Sequence, residues 1–157
     1  MDLTQIDGIS YGTTLTLLAE TGVKLSDFPT SDHFVSWMCI SPNKKITGGK
    51  VISSHTRKNR CPLAYAFRQA ANTVGNQKGT ALSDYFHRLA YRKGRKVAIM
   101  ATARKLAVTV YNMLQKGQQY KPQTQEDYQE NLRAQKVKNL QKTISRLAIK
   151  ADELAFN

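Results

Sequence analysis

Acidic residues are almost missing from the middle of this chain. Between His33 and Gln125 only Asp84 is acidic, against seventeen lysines and arginines. The whole chain carries a formal charge of +13 over 157 residues, so the middle is more basic than the total and the acids collect at the two ends. A field of one sign repels itself, and it persists where a polyanion is the partner. A merely solvated surface normally intersperses both signs. The single acid also excludes, within that stretch, a carboxylate pair able to hold Mg2+ or to share acid–base work.

Cysteine is equally scarce. Cys39 and Cys61 have neither metal-ligand spacing nor the look of a disulfide framework, which fits a reduced, cytoplasmic setting. His33, His55 and His87 are scattered, with no HExxH-type arrangement, so no metal site is expected from this chain's own residues. No run approaches the ~18 apolar residues of a membrane span, and no membrane partner is expected. Met1-Asp2 lacks the basic start and apolar core of a signal peptide.

What is present is enough apolar material for a core, 41% of residues, at a length that favours one domain with an appendage. Ile6-Asp7-Gly8-Ile9-Ser10 is a turn that opens a helix carrying Leu15, Leu18 and Ala19 and closing at Gly22. Thr30-Ser31-Asp32 offers N-caps for a second helix with Phe34, Val35, Trp37 and Met38. Residues 44–59 read as a loop or a short hairpin. Three helices follow: Cys61 to Asn76 with Leu63, Phe67, Ala70, Ala71 and Val74; Thr80 to Arg92 with Leu82, Tyr85, Phe86 and Leu89; and Val97 to Lys116 with Ile99, Ala103, Leu106, Ala107, Val110 and Leu114. Residues 118–125 read as a linker. A last helix, Glu126 to Leu154, places Val137, Leu140, Ile144, Leu147, Ala151 and Leu154 on a heptad seam, suited either to packing back on the domain or to a coiled-coil contact. The expected fold is all-α: a compact multi-helix domain over residues 1–121 beginning with a helix-hairpin-helix-like turn, with a basic glycine-containing loop and, over 122–157, a linker and a long C-terminal helix.

Three constellations bear on function. The Gly8 turn leads into a helix N-terminus, whose free amides can grip a phosphate without reading sequence. An ordinary capped turn has the same pattern. In residues 42–60, Lys44, Lys45, Lys50, Arg57, Lys58 and Arg60 surround Gly48-Gly49, with His55 and the hydroxyls of Thr47, Ser53 and Ser54. Glycine lets backbone approach a phosphate and the bases neutralise it. A hydroxyl there becomes a nucleophile only with a base and a leaving-group acid, which lysine and arginine do not supply. The Gly-x4-Gly-Lys-Ser/Thr spacing of a Walker loop is absent. On the later helices, Arg92, Arg95, Lys96 and Arg104 join Arg88, Lys93 and Lys105 among Tyr85, Tyr91 and Tyr111, tyrosines suited to stacking on unpaired bases or to the core.

These motifs, in order, resemble the C-terminal domain of the insertion-sequence transposases that pair an N-terminal DEDD domain with a C-terminal serine domain. The matching parts are Ile6-Asp7-Gly8-Ile9 with Leu17-Leu18-Ala19-Glu20-Thr21-Gly22; Phe28-Pro29 and Phe34 to Trp37; Ser41-Pro42; Thr47-Gly48-Gly49-Lys50; Ala98 to Leu106; and Leu114 to Tyr120. Together they cover residues 1–121. The resemblance implies excision and insertion of mobile elements, DNA and a structured guide RNA as partners, and a serine nucleophile in a Ser-Gly-Gly-Lys motif that falls on Thr47 to Lys50. Thr47 replaces that serine, and Ser53 and Ser54 are the nearby alternatives. No cofactor is expected in this chain. Mg2+ is expected only with the DEDD domain, whose absence before Met1 suggests a truncated, catalytically incomplete form. The alternative is a nucleic-acid-binding regulator or inhibitor of a full-length transposase. A homo-oligomer or a full-length transposase contact is expected through residues 126–157.

Overall fold

The structure, a computed structural model, describes residues 2–22, 25–58 and 60–147. Asp2 accepts from the Thr4 N–H at 2.9 Å and starts a single 3-10 turn, Leu3–Gln5. Ser10 Oγ accepts from the Thr13 N–H at 3.2 Å and opens α1, Tyr11–Thr21. Gly22, at φ 69°, ends it. Thr30 caps α2, Ser31–Trp37. Strands β1, Lys45–Thr47, and β2, Lys50–Ser53, pair as an antiparallel hairpin. Pro62 begins α3, Pro62–Asn76, where its missing N–H costs nothing. Thr80 caps α4, Ala81–Lys93. Gly94 separates it from α5, Arg95–Lys116, and Gly117 closes α5 in the left-handed region. Helix α6 is Gln125–Leu147. The described chain is thus all-α apart from one hairpin, which takes the place of the loop alternative for residues 44–59.

The chain divides into two compact units, residues 1–122 and 123–157. In the first, α3 and α5 pack together most extensively, with α1 and α4 against α3, α4 also along α5, and α2 on α5. The expected stripe of α3 (Leu63, Phe67, Ala70, Ala71 and Val74) is fully buried. So is most of the stripe of α5: Ala103, Leu106, Ala107 and Val110 are buried, while Ile99 and Leu114 are half-buried. Helix α5 begins two residues before the expected Val97, because Gly94 rather than Arg95 takes the non-helical conformation.

Helix α1 departs from expectation. Leu15, Leu18 and Ala19 are exposed, and Leu17 and Thr13 are buried instead. Leucines at 15, 17 and 18 cover two faces of a helix, so periodicity alone does not choose between them. The face that meets α3 carries Thr13 and Leu17, four residues apart. The Thr13 hydroxyl tolerates burial because it lies 3.2 Å from Ser10 Oγ.

Helix α5 also clamps the irregular stretch before α2. Tyr111 donates its phenolic O–H to the Phe28 carbonyl at 2.6 Å, and Gln115 donates to the Leu25 carbonyl. Arg104 and Asp32 pair at 2.8 Å. Phe28, Phe34, Trp37 and Tyr111 form an aromatic group, with Phe28 and Phe34 edge-to-face at 5.2 Å. Among the described residues no helix is long and apolar enough to cross a membrane. On α6, Val137 and Leu140 are exposed and Ile144 is half-buried. Ala151 and Leu154 of the expected seam lie outside the described residues.

Candidate nucleic-acid interface

The hairpin is an arm rather than a strap on the core. Gly48 and Gly49 lie at φ 55° and 74°, both left-handed, as a two-residue turn between twisted strands requires. An ideal Cβ at either would meet nothing within 4 Å, so the tip stands open. Beyond the strands, the Asn43 N–H donates to the His55 carbonyl at 3.2 Å and Pro42 bridges Thr56, extending the arm to residues 42–56.

The register sorts the arm into two faces. Thr47 stands opposite Lys50, Ile46 opposite Val51, and Lys45 opposite Ser53, with Ile52 the extra residue at a bulge. Directly opposed residues share a face and successive residues alternate. One face therefore carries Lys45, Thr47, Lys50 and Ser53. The other carries the pair Ile46 and Val51, 61% and 56% exposed. Lys44, Thr47, Ser54 and His55 are exposed and Ser53 is half-buried. Ser53 Oγ lies 3.5 Å from the His55 N–H, which donates to it.

At the foot of the arm, Arg57 and Lys58 line a pocket of about 250 Å³ with Thr56, Cys39 and Arg68. Cys39 is held at φ 56° just after α2. Arg68 is a cation that sequence reasoning does not single out. It rises from α3, where its Nε donates to the Ala64 carbonyl at 3.2 Å, and it also lines a groove of about 660 Å³ between α1 and α3 with Arg60, Tyr65 and Gln69. Its only signal in sequence is an arginine at the border of an apolar stripe, a position where the stem packs and the head reaches out.

The bases of the later helices are not equivalent. Arg92 and Lys96 are exposed. Arg95 donates to Asn72 Oδ1 at 2.7 Å and Asn76 Oδ1 at 2.9 Å and lies over the Phe86 ring, so it ties α5 to the end of α3. Arg104 is paired with Asp32. Lys105 Nζ sits 4.7 Å from the centre of the Tyr85 ring, with the Arg88 guanidinium 6.0 Å from the same ring. Burial, and then the Arg88 charge, hold the Lys105 ammonium below the usual lysine range. Burial raises the Tyr85 hydroxyl above the usual tyrosine range, against the lowering pull of Arg88 and Arg104. Tyr85 is thus a half-buried packing partner and Tyr111 is core, whereas Tyr91 is 94% exposed.

The Gly8 turn has a structural reason for its glycine. Gly8 lies at φ +83°, and a Cβ there would stand 2.6 Å from both the Ala70 carbonyl oxygen and Val74 Cγ2 of α3. Among the described residues the 3-10 turn Leu3–Gln5 precedes it. Asp7 lines the same hollow of about 430 Å³ as Gly8 and Ser10, and a carboxylate there opposes an anion. Among the described residues no three of His, Cys, Asp and Glu converge as metal ligands.

The profile of the Transposase IS116/IS110/IS902 family matches residues 2–87, from the Gly8 turn through the arm and α3 into α4. No curated relative and no solved structure matches the chain.

Proposed function

Because the chain belongs to the Transposase IS116/IS110/IS902 family, we propose that it holds DNA for insertion-sequence transposition, with the 42–56 arm as its principal grip. The observation that carries this reading is the arm itself. It lies inside the matched residues, exposes Lys44, Lys45 and Lys50, and contains no acid. Arg57, Lys58, Arg60 and Arg68 continue the cationic surface at its foot. Such side chains orient a strand through its phosphates and do not read bases.

Strand cleavage is not assigned to this chain acting alone. Thr47 offers a hydroxyl opposite Lys50. The lysine can steady developing negative charge but cannot accept the proton that attack on phosphorus releases. Among the described residues no three of His, Cys, Asp and Glu come together. In this reading the chain contributes grip and a hydroxyl, and a metal-bearing DEDD domain contributes the rest. Guide RNA fits the same cationic surface. A second reading, a regulator that joins another transposase copy, is favoured by the exposed Val137 and Leu140 on α6.

A salt series tests the grip. Fluorescence anisotropy with a duplex from an element end is expected to give log K falling linearly with log[salt], and each phosphate-neutralising lysine removed flattens the slope by about 0.9. Lys44→Ala, Lys45→Ala and Lys50→Ala together are expected to remove about two to three units of slope. An unchanged slope moves the interface off the arm. Failure of the native chain to bind DNA or RNA in dilute buffer overturns the reading.

A further inference from the structure

We infer that the arm is a minor-groove wedge: Ile46 and Val51 enter the groove of a duplex and kink it at a flexible base step. This rests on the DNA-holding reading and adds the groove, the inserted side chains and the deformation. The pair is opposed across the hairpin and open to water. Ile52 beside it is 69% exposed. Adjacent β-branched side chains are stiff, so they lose little freedom on insertion. Left bare on a two-stranded arm, they invite pairing with other chains unless a partner covers them.

Charge selects the partner. Lys44, Lys45, Lys50, Arg57 and Lys58 flank the pair along the chain, Lys45 and Lys50 from the opposite face of the hairpin, and no acid lies between His33 and Ser83. A second copy of this chain would bring the same sign against it. A duplex brings two phosphate walls with an apolar floor of base edges between them. Lysine stems are long enough to swing to those walls while the apolar face points at the floor. Of the side chains that read major-groove edges in pairs of hydrogen bonds, residues 44–53 hold lysine alone, with no arginine, asparagine or glutamine. An arm with cations, small residues and apolar wedges suits the minor groove, where insertion unstacks a step and bends the helix. Pyrimidine–purine steps yield most easily.

The test uses the full chain and a duplex of about 30 base pairs with a central TA step, dye-labelled at both ends so that bending raises energy transfer. The native chain is expected to bend it. Ile46→Ser with Val51→Ser is expected to abolish the bend and weaken binding about tenfold with the salt slope unchanged. Ile46→Leu keeps the bend. Circular dichroism checks that the helical signal is retained, and a variant that loses it is replaced by Val51→Thr alone, which is expected to reduce the bend. Native-like bending by the serine variant, or binding by the native chain without bending, overturns the wedge while leaving DNA holding intact. No binding by the native chain overturns DNA holding itself. Loss of self-association by the serine variant, with bending unchanged, would assign the apolar face to a second copy and also overturn the wedge.

Discussion

Single atoms decide several positions in this molecule. Gly75 is buried in α3, and a Cβ there would stand 2.5 Å from ring carbons of Phe86 on α4. The ring is itself fully buried, so it has little room to yield. Gly75→Ala is expected to destabilise the fold by about 1–3 kcal/mol, read as a lower urea midpoint. Thr102 presents the opposite case. Its hydroxyl is buried in α5 with no hydrogen-bond partner among the described residues. A buried polar group without a partner carries its desolvation cost uncompensated. Thr102→Val keeps the shape and removes that cost, and an increase in stability of about 1 kcal/mol is expected in the same measurement. Neither position stands out in sequence. Gly75 reads as a blemish in a helix and Thr102 as a polar residue on its surface. The shape of α4 opposite Gly75 and the depth of α5 at Thr102 set their meaning.

At the scale of elements, α3 and the arm carry opposite kinds of legibility. The α3 stripe is readable because its apolar residues recur with helical period and all meet neighbours. The arm is only half readable. Gly48-Gly49 announces a turn, but which residues share a face depends on register, and the register shifts at the bulge between Lys45 and Ile46, where Ile52 is the extra residue. A slip by one residue would exchange Ile46 for Thr47. Helix α6 raises the question of self-association. Val137 and Leu140, three residues apart, are both exposed on it, the spacing of a heptad seam. In the regulator reading Leu140→Asp is expected to shift the chain from dimer to monomer by sedimentation, with the helical signal of residues 1–122 retained. A native chain that sediments as a monomer at every concentration removes α6 as the meeting surface for a second copy.

At the scale of the whole molecule, charge governs. A formal +13 with one acid in the middle makes the folded state work against its own field, while the unfolded chain spreads the same charges apart. The ion pair of Asp32 with Arg104 offsets part of it. Added potassium chloride screens that repulsion. Raising the salt from low to moderate concentration is expected to stabilise the chain by about 1 kcal/mol, or roughly 3 °C in melting temperature for this length. The same addition is expected to weaken DNA binding. Fold and grip therefore respond to salt in opposite directions. A duplex that neutralises the surface should raise the melting temperature in dilute buffer where salt is absent.

The sequence by itself determined the helical class, the positions of the α3 and α5 core stripes, the cap of α2 within Thr30-Ser31-Asp32, and the basic middle. Each follows from local period, local hydrogen bonding or simple composition. Tertiary structure decided which face of α1 is buried, why Gly8 must be glycine against Ala70 and Val74, that Arg95 and Arg104 are tied to Asn72, Asn76 and Asp32, and that Arg68 joins the bases at the foot of the arm. Those facts depend on residues far apart in the chain meeting at distances of a few ångströms. Spacing along one segment gives the direction of a side chain, and only its neighbours in space determine whether its charge is spent on the protein or presented to a partner.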